Sequence, residues 1–158
     1  MFVLAPLVIL LLTASWSTVV YAASTKVSSA QTALTGSYRI KLQFGPVVKP
    51  EGMGAMSGML SMDQGKPVNQ HLGIFIQDKR SGTAVMNIFP EVKISDEKSG
   101  TSRGLGILRC VPPSDHGAGP HFGNNLYLPD GTYTVTVTVG KETAVFRGVV
   151  VKAAGSGM

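Results

Sequence analysis

The stretch Tyr133-Thr134-Val135-Thr136-Val137-Thr138-Val139 decides the fold class. Large apolar side chains hold the odd positions and threonines the even ones. A period of two sends successive side chains to opposite faces of a strand, so one face is apolar and the other polar. On a helix the same residues would spread their apolar groups around the whole cylinder. Gly140-Lys141 follows as a two-residue hairpin turn, and residues 143–151 return as the closing strand.

Working outward, the same period recurs. Tyr38-Arg39-Ile40-Lys41-Leu42-Gln43-Phe44 alternates apolar and polar, and Gly45-Pro46 ends it. His71 opens a further strand, with Leu72, Ile74 and Ile76 on one side and His71, Gly73 and Phe75 on the other. Lys79-Arg80-Ser81-Gly82 and Asp96-Glu97-Lys98-Ser99-Gly100 are turns. Between them residues 85–94 give one or two strands interrupted at Pro90, and residues 104–111 give another. Residues 50–70 have no period and are expected as a long loop. Residues 112–125, dense in Gly, Pro and Asn, are expected as a second loop before the short strand Leu126-Tyr127-Leu128. No segment has helical periodicity. About seven short strands predict an all-β, antiparallel β-sandwich, and Asp130-Gly131-Thr132-Tyr133 resembles the tyrosine corner of immunoglobulin-like sandwiches. The sandwich is expected over residues 36–152, after a small, polar, flexible lead-in at 23–35 and before a flexible tail at 153–158.

Composition narrows the function. Hydrophobic residues make up 44% of the 158 residues, enough for a real core and too many for a disordered chain. The formal charge is +5, but the basic residues are scattered, with no run longer than Lys79-Arg80. A nucleic-acid binder concentrates such residues on one element, so no nucleic-acid partner is expected. No Gly-x-Ser-x-Gly elbow, Walker loop, dinucleotide fingerprint, His-Glu-x-x-His or Cys-x-x-Cys occurs, and the chain does not read as an enzyme.

Residues 1–22 carry no charge. Phe2 to Leu12 form an apolar run, polar residues follow, and Val20-Tyr21-Ala22 suits a signal peptidase. This segment reads as a signal peptide cut after Ala22, giving an exported, periplasmic protein. It departs from the pattern in having no Lys or Arg before the apolar run. Retention as an anchor is the alternative. Export places the chain in an oxidising compartment with one cysteine, Cys110, which has no internal partner. A ligand, an intermolecular link and a buried thiol are all open to it.

Three histidines fall at strand starts and breaks: His71, His116 and His121. Gly119-Pro120 before His121 and Gly123 after it restrict how the backbone presents the ring, as a metal ligand requires. Met53, Met56, Met59 and Met62 repeat at a spacing of three among glycines that disfavour a helix. Thioethers are soft donors that suit Cu(I), so these four methionines form a candidate secondary site, with a gap-filling loop as the alternative.

Gly119-Pro120-His121-Phe122-Gly123-Asn124-Asn125, followed by the Asp130-Gly131-Thr132-Tyr133 strand, resembles the exported iron-transport accessory family. These are immunoglobulin-like sandwiches of the bacterial periplasm that bind copper and help deliver iron to a membrane permease. The resemblance covers residues 71–139. It implies that His71, in the family's His-Leu strand opening, and His121, in its Gly-Pro-His-aromatic-Gly loop, are metal ligands. It also implies a sulfur ligand shortly before that loop, where Cys110 stands for the family's methionine. Two features depart from the family. Gly73 occupies the place of an acidic residue, and no histidine follows His121. His116 is the candidate replacement, and a three-coordinate site is the alternative.

The expected function is therefore an exported metal-binding protein for copper or ferrous iron. Its expected partners are the metal ion and an inner-membrane metal permease, with a homodimer left open. A metal-free immunoglobulin-like adhesion or assembly module is the alternative. A cupredoxin-like electron-transfer protein is less favoured: His71, Cys110 and His116 run in its ligand order, but no Met follows at the expected short distance, the only later one being Met158.

Overall fold

In the computed structural model, residues 19–22, 30–48, 62–112 and 119–152 are described. The strands are β1 Val19–Ala22, β2 Ala30–Leu34, β3 Tyr38–Gly45, β4 Met62–Asp63, β5 Lys66–Pro67 and β6 Gln70–Asp78. They continue as β7 Glu91–Asp96, β8 Ser102–Gly104, β9 Arg109–Val111, β10 His121–Leu126, β11 Gly131–Val139 and β12 Glu142–Val151. One sheet has the order β1-β12-β11-β7-β8, a second β2-β3-β6-β10-β9, and β4-β5 form a small ribbon. Every pairing is antiparallel except β1 on β12. The described residues contain no helix, and the fold is the all-β antiparallel sandwich that the period of two predicts.

The alternation at 133–139 does the work expected of it. Tyr133, Val135, Val137 and Val139 are buried, and face Ile40, Leu42, Leu72, Ile74 and Ile76 of the second sheet. Gly140 takes φ 61° at the first position of the β11–β12 turn, which suits a type II′ hairpin. Tyr133 Oη donates to the Pro129 carbonyl at 2.9 Å, the back-bond of a tyrosine corner.

Several expectations change. The expected loop at 50–70 holds the β4–β5 ribbon among its described residues, and Tyr127 and Leu128 of the expected short strand lie beyond the end of β10. Four further expectations change. Residues 85–90 are not a strand, although Ala84 bridges Gln77. Here the chain crosses from β6 in one sheet to β7 in the other, and Val85, Met86 and Ile88 pack against the core on the way. Likewise residues 104–111 are not one strand. The chain leaves β8, changes sheets with Leu108 buried, and re-forms as β9. The third change lies in the expected loop at 112–125, where His121–Leu126 is an interior strand between β6 and β9. Phe122 and Leu126 fill the core from it. Fourth, the expected lead-in supplies β2, with Ala33 buried and Gln31 Nε2 donating to the Arg147 carbonyl at 3.0 Å.

The ribbon is pinned to the sandwich by one ion pair. Arg103 donates twice to Asp63 at 3.0 and 2.7 Å, and Asp63 also accepts the Tyr127 amide. Residues 1–18, holding the apolar run of the expected leader, and residues 153–158 of the expected tail lie outside the described residues. Val19–Ala22, at the leader's end, is placed as β1 along the outer edge of β12.

Candidate metal centre

Sheet register builds the site. β6 and β10 run antiparallel with Gly123 opposite Gly73 and Asn125 opposite His71. Direct partners share a face, and Leu72, Ile74, Phe122 and Leu126 point into the core. His71, Gly73, Phe75, His121, Gly123 and Asn125 therefore share the outer face of the second sheet. The two imidazoles lean towards each other across the central glycine pair. A Cβ on Gly73 would lie 3.3 Å from the His121 ring, and one on Gly123 would lie 2.7 Å from His71 Nε2. Each ring thus lies over a glycine of the neighbouring strand.

His71 Nε2 and His121 Nε2 are 3.3 Å apart, with the rings at 83°. His71 is 9% exposed and His121 5%. The other nitrogens settle the tautomers. Asn125 Nδ2 donates to the Val48 carbonyl at 2.7 Å, and its Oδ1 accepts the Val48 amide at 3.1 Å. That fixes the amide's orientation, so the atom 2.9 Å from His71 Nδ1 is an acceptor. His71 Nδ1 must carry the hydrogen. His121 Nδ1 faces the Gly119 carbonyl at 2.9 Å and must donate as well. A neutral imidazole has one N–H, so when both rings are neutral both Nε2 atoms are bare lone pairs aimed at each other.

Two facing lone pairs at this distance repel unless a proton or a metal cation lies between them. The donor set therefore fits a metal ion: neutral imidazoles, deprotonated on the facing side, oriented by hydrogen bonds at their far nitrogens. Burial holds His71 below the ordinary imidazole range; the Asn125 hydrogen bond opposes this shift and His121 adds to it. Phe75 stacks on His121 at 4.6 Å and braces the ring's other side.

The expected ligands separate. His71 and His121 come together. Cys110 does not join them, because it pairs with the core-facing Phe122 and so stands on the opposite face from His121, where its thiol is exposed. Among the described residues no group of three His, Cys, Asp or Glu side chains gathers as a metal cluster. His116, Met53, Met56 and Met59 lie outside the described residues, and Met62, in β4, is half exposed. Reading the sequence did not single out Asn125 or Phe75 as supports. Once 121–126 is known to be a strand, its period of two puts Asn125 on the His121 face.

An antiparallel β-sandwich with a buried imidazole pair on the outer face of one sheet is the class that fold and site define. Three solved structures share this fold. A copper-bound variant of FetP from uropathogenic Escherichia coli strain F11 superposes with TM-score 0.56 at 14% identity, over 82% of this chain and 94% of that one. FetP of the same strain, as isolated after recombinant expression in the periplasm of Escherichia coli BL21(DE3), gives 0.55 at 14% identity over 78% and 96%. A copper-bound variant of Campylobacter jejuni P19 gives 0.53 at 16% identity over 72% and 74%. No protein-family model and no curated protein sequence matches the chain. The resemblance read from residues 71–139 and the likeness of fold agree.

Proposed function

We propose that this chain is an exported metal-binding protein, not an enzyme, that holds copper between His71 and His121. The observation that carries the reading is the pair of facing Nε2 atoms 3.3 Å apart, each of which is bare in the neutral ring because its Nδ1 is committed as a donor. Imidazole nitrogen suits copper among the first-row metals, and copper-bound proteins of the same fold favour it over ferrous iron. When bound, the cation supplies the positive centre that two opposed lone pairs lack. Asn125 and the Gly119 carbonyl keep both rings turned towards it, and the glycine floor leaves room for the rings to meet. The charge-free apolar leader supports export to the periplasm, and delivery of metal to an inner-membrane permease is the role that the family resemblance suggests.

Copper titration of the purified protein and its variants tests this reading. His71→Ala and His121→Ala should each weaken binding by about tenfold or more, about 1.4 kcal/mol, with the far-ultraviolet β spectrum unchanged. Cys110→Ser should bind as the parent does. Negligible losses in both histidine variants would remove the reading. Tighter ferrous iron than copper would change the metal, and loss only on deleting residues 53–62 would move the site to the methionines.

A further inference from the structure

Among the described residues, charge around the imidazole pair is one-sided. The register of β3 on β6 and of β9 on β10 places Arg39, Lys41 and Arg109 on the same outer face as His71 and His121. Among the described residues, no Asp or Glu stands on that face of the sheet. Arg103 pairs with Asp63, and none of these three cations is in an ion pair with a described Asp or Glu.

Two of them flank the pair from opposite sides. Lys41 Nζ sits 5.1 Å from the centre of the Phe75 ring, which itself stacks on His121. Arg109 is the direct cross-strand partner of Gly123, the glycine beneath the His71 ring. Such partners have Cα atoms about 5 Å apart, well within the span of an arginine side chain. Both cations are exposed. A divalent ion bound by two neutral imidazoles keeps its whole charge. With two cations beside it, at an effective dielectric of about 20, it would be held against net repulsion.

On the reading of the pair as a metal site, we infer that it takes its metal together with a small dicarboxylate anion. One carboxylate faces the metal, and the rest of the charge is held by Lys41 and Arg109. The anion supplies the negative charge that no described Asp or Glu places at Gly73 or elsewhere on this face. Arginine recognises carboxylate through two parallel hydrogen bonds, and lysine does so as a point charge.

Copper binding is measured by competition in sodium chloride and in sodium malonate at equal ionic strength. The proteins are the parent and the Lys41→Gln/Arg109→Gln double variant, both positions being exposed and outside the core. Binding of copper by free malonate is the same for both proteins, so their difference reports the site. In chloride the double variant should bind at least as tightly as the parent, because repulsion has been removed. In malonate the parent should bind about tenfold more tightly than the double variant, with a changed visible absorption of the copper. Equal shifts in both proteins would overturn the inference while leaving the metal site standing. Discrimination by a polyglutamate peptide but not by malonate would overturn it too, in favour of an acidic protein partner. No copper binding by the parent in either salt would overturn both the inference and the metal reading.

Discussion

Gly123 lies beneath the His71 ring so closely that a methyl group could not be added without displacing it. A Cβ there would stand 2.7 Å from His71 Nε2 and 2.6 Å from the Leu72 carbonyl oxygen. The partner glycine is less confined: a Cβ on Gly73 would meet Phe75 at 3.2 Å and the His121 ring at 3.3 Å. The two glycines look alike in the sequence, but one abuts backbone and the other only side chains.

Gly123→Ala should therefore cost about 1–3 kcal/mol of stability, the usual range for overpacking a filled site, and should separate the imidazoles. Gly73→Ala should cost less, because the Phe75 and His121 rings can yield by a few tenths of an ångström. Urea unfolding of the two variants measures the difference. Equal costs would show that the Leu72 carbonyl is not the obstacle.

Asn125 is expected to fix the tautomer of His71. Asn125→Leu keeps a side chain of similar size but cannot accept from Nδ1, so His71 should become a mixture of the two neutral tautomers. Nitrogen-15 chemical shifts of the ring report this directly and are insensitive to a merely structural role. The parent should show protonated Nδ1 and bare Nε2 on both histidines. Asn125→Asp should restore the tautomer but raise the His71 pKa, since a carboxylate favours the imidazolium.

Protonation of His71 should leave a signature in stability. Burial lowers the His71 pKa from its ordinary 6.5. In the window between the ordinary value and the lowered one, the unfolded chain binds a proton there and the folded chain does not. Unfolding free energy should thus fall as pH drops below the ordinary value, and this contribution should level off once the folded pKa is passed. Replacing His71 by Gln removes it. Urea midpoints of the two proteins across mildly acidic pH measure the contribution, and parallel curves would contradict it.

Much of this was legible in the sequence, for a physical reason. A buried strand with one wet face must alternate, so Tyr133 to Val139, Ile40 to Phe44 and Leu72 to Ile76 announced both their conformation and their core side. His71 and His121 were legible as a pair because the motif around each is short and local. Where the chain changes sheets, the reading failed. Val85, Ile88, Leu105 and Leu108 are apolar because they pack while crossing, and without a partner strand to compare, crossing segments mimic strands. β10 was hidden by the opposite effect. The glycines and asparagines of 123–125 look like loop residues, but Gly123 is there to admit a ring and Asn125 to hold one. The separation of Cys110 from the site needed the register itself, since a shift of one residue along β9 would have put it on the His121 face.

The end of the expected leader gives the last prediction. β1, Val19–Ala22, pairs in parallel with Thr143, Ala144, Val145 and Phe146 of β12 and covers the outer edge of that strand. A cut after Ala22 removes β1 whole and leaves this edge of β12 open. Backbone amides that bonded to β1 then face water, where opening costs little. Hydrogen exchange should accordingly be faster over residues 143–146 in the chain beginning at Ala23 than in the uncut chain, and unchanged in β6 and β10, which lie in the other sheet. N-terminal sequencing of the exported protein identifies which form is native. Export with residue 19 still attached, and slow exchange over 143–146, would mean that β1 is kept as a strand of the working domain.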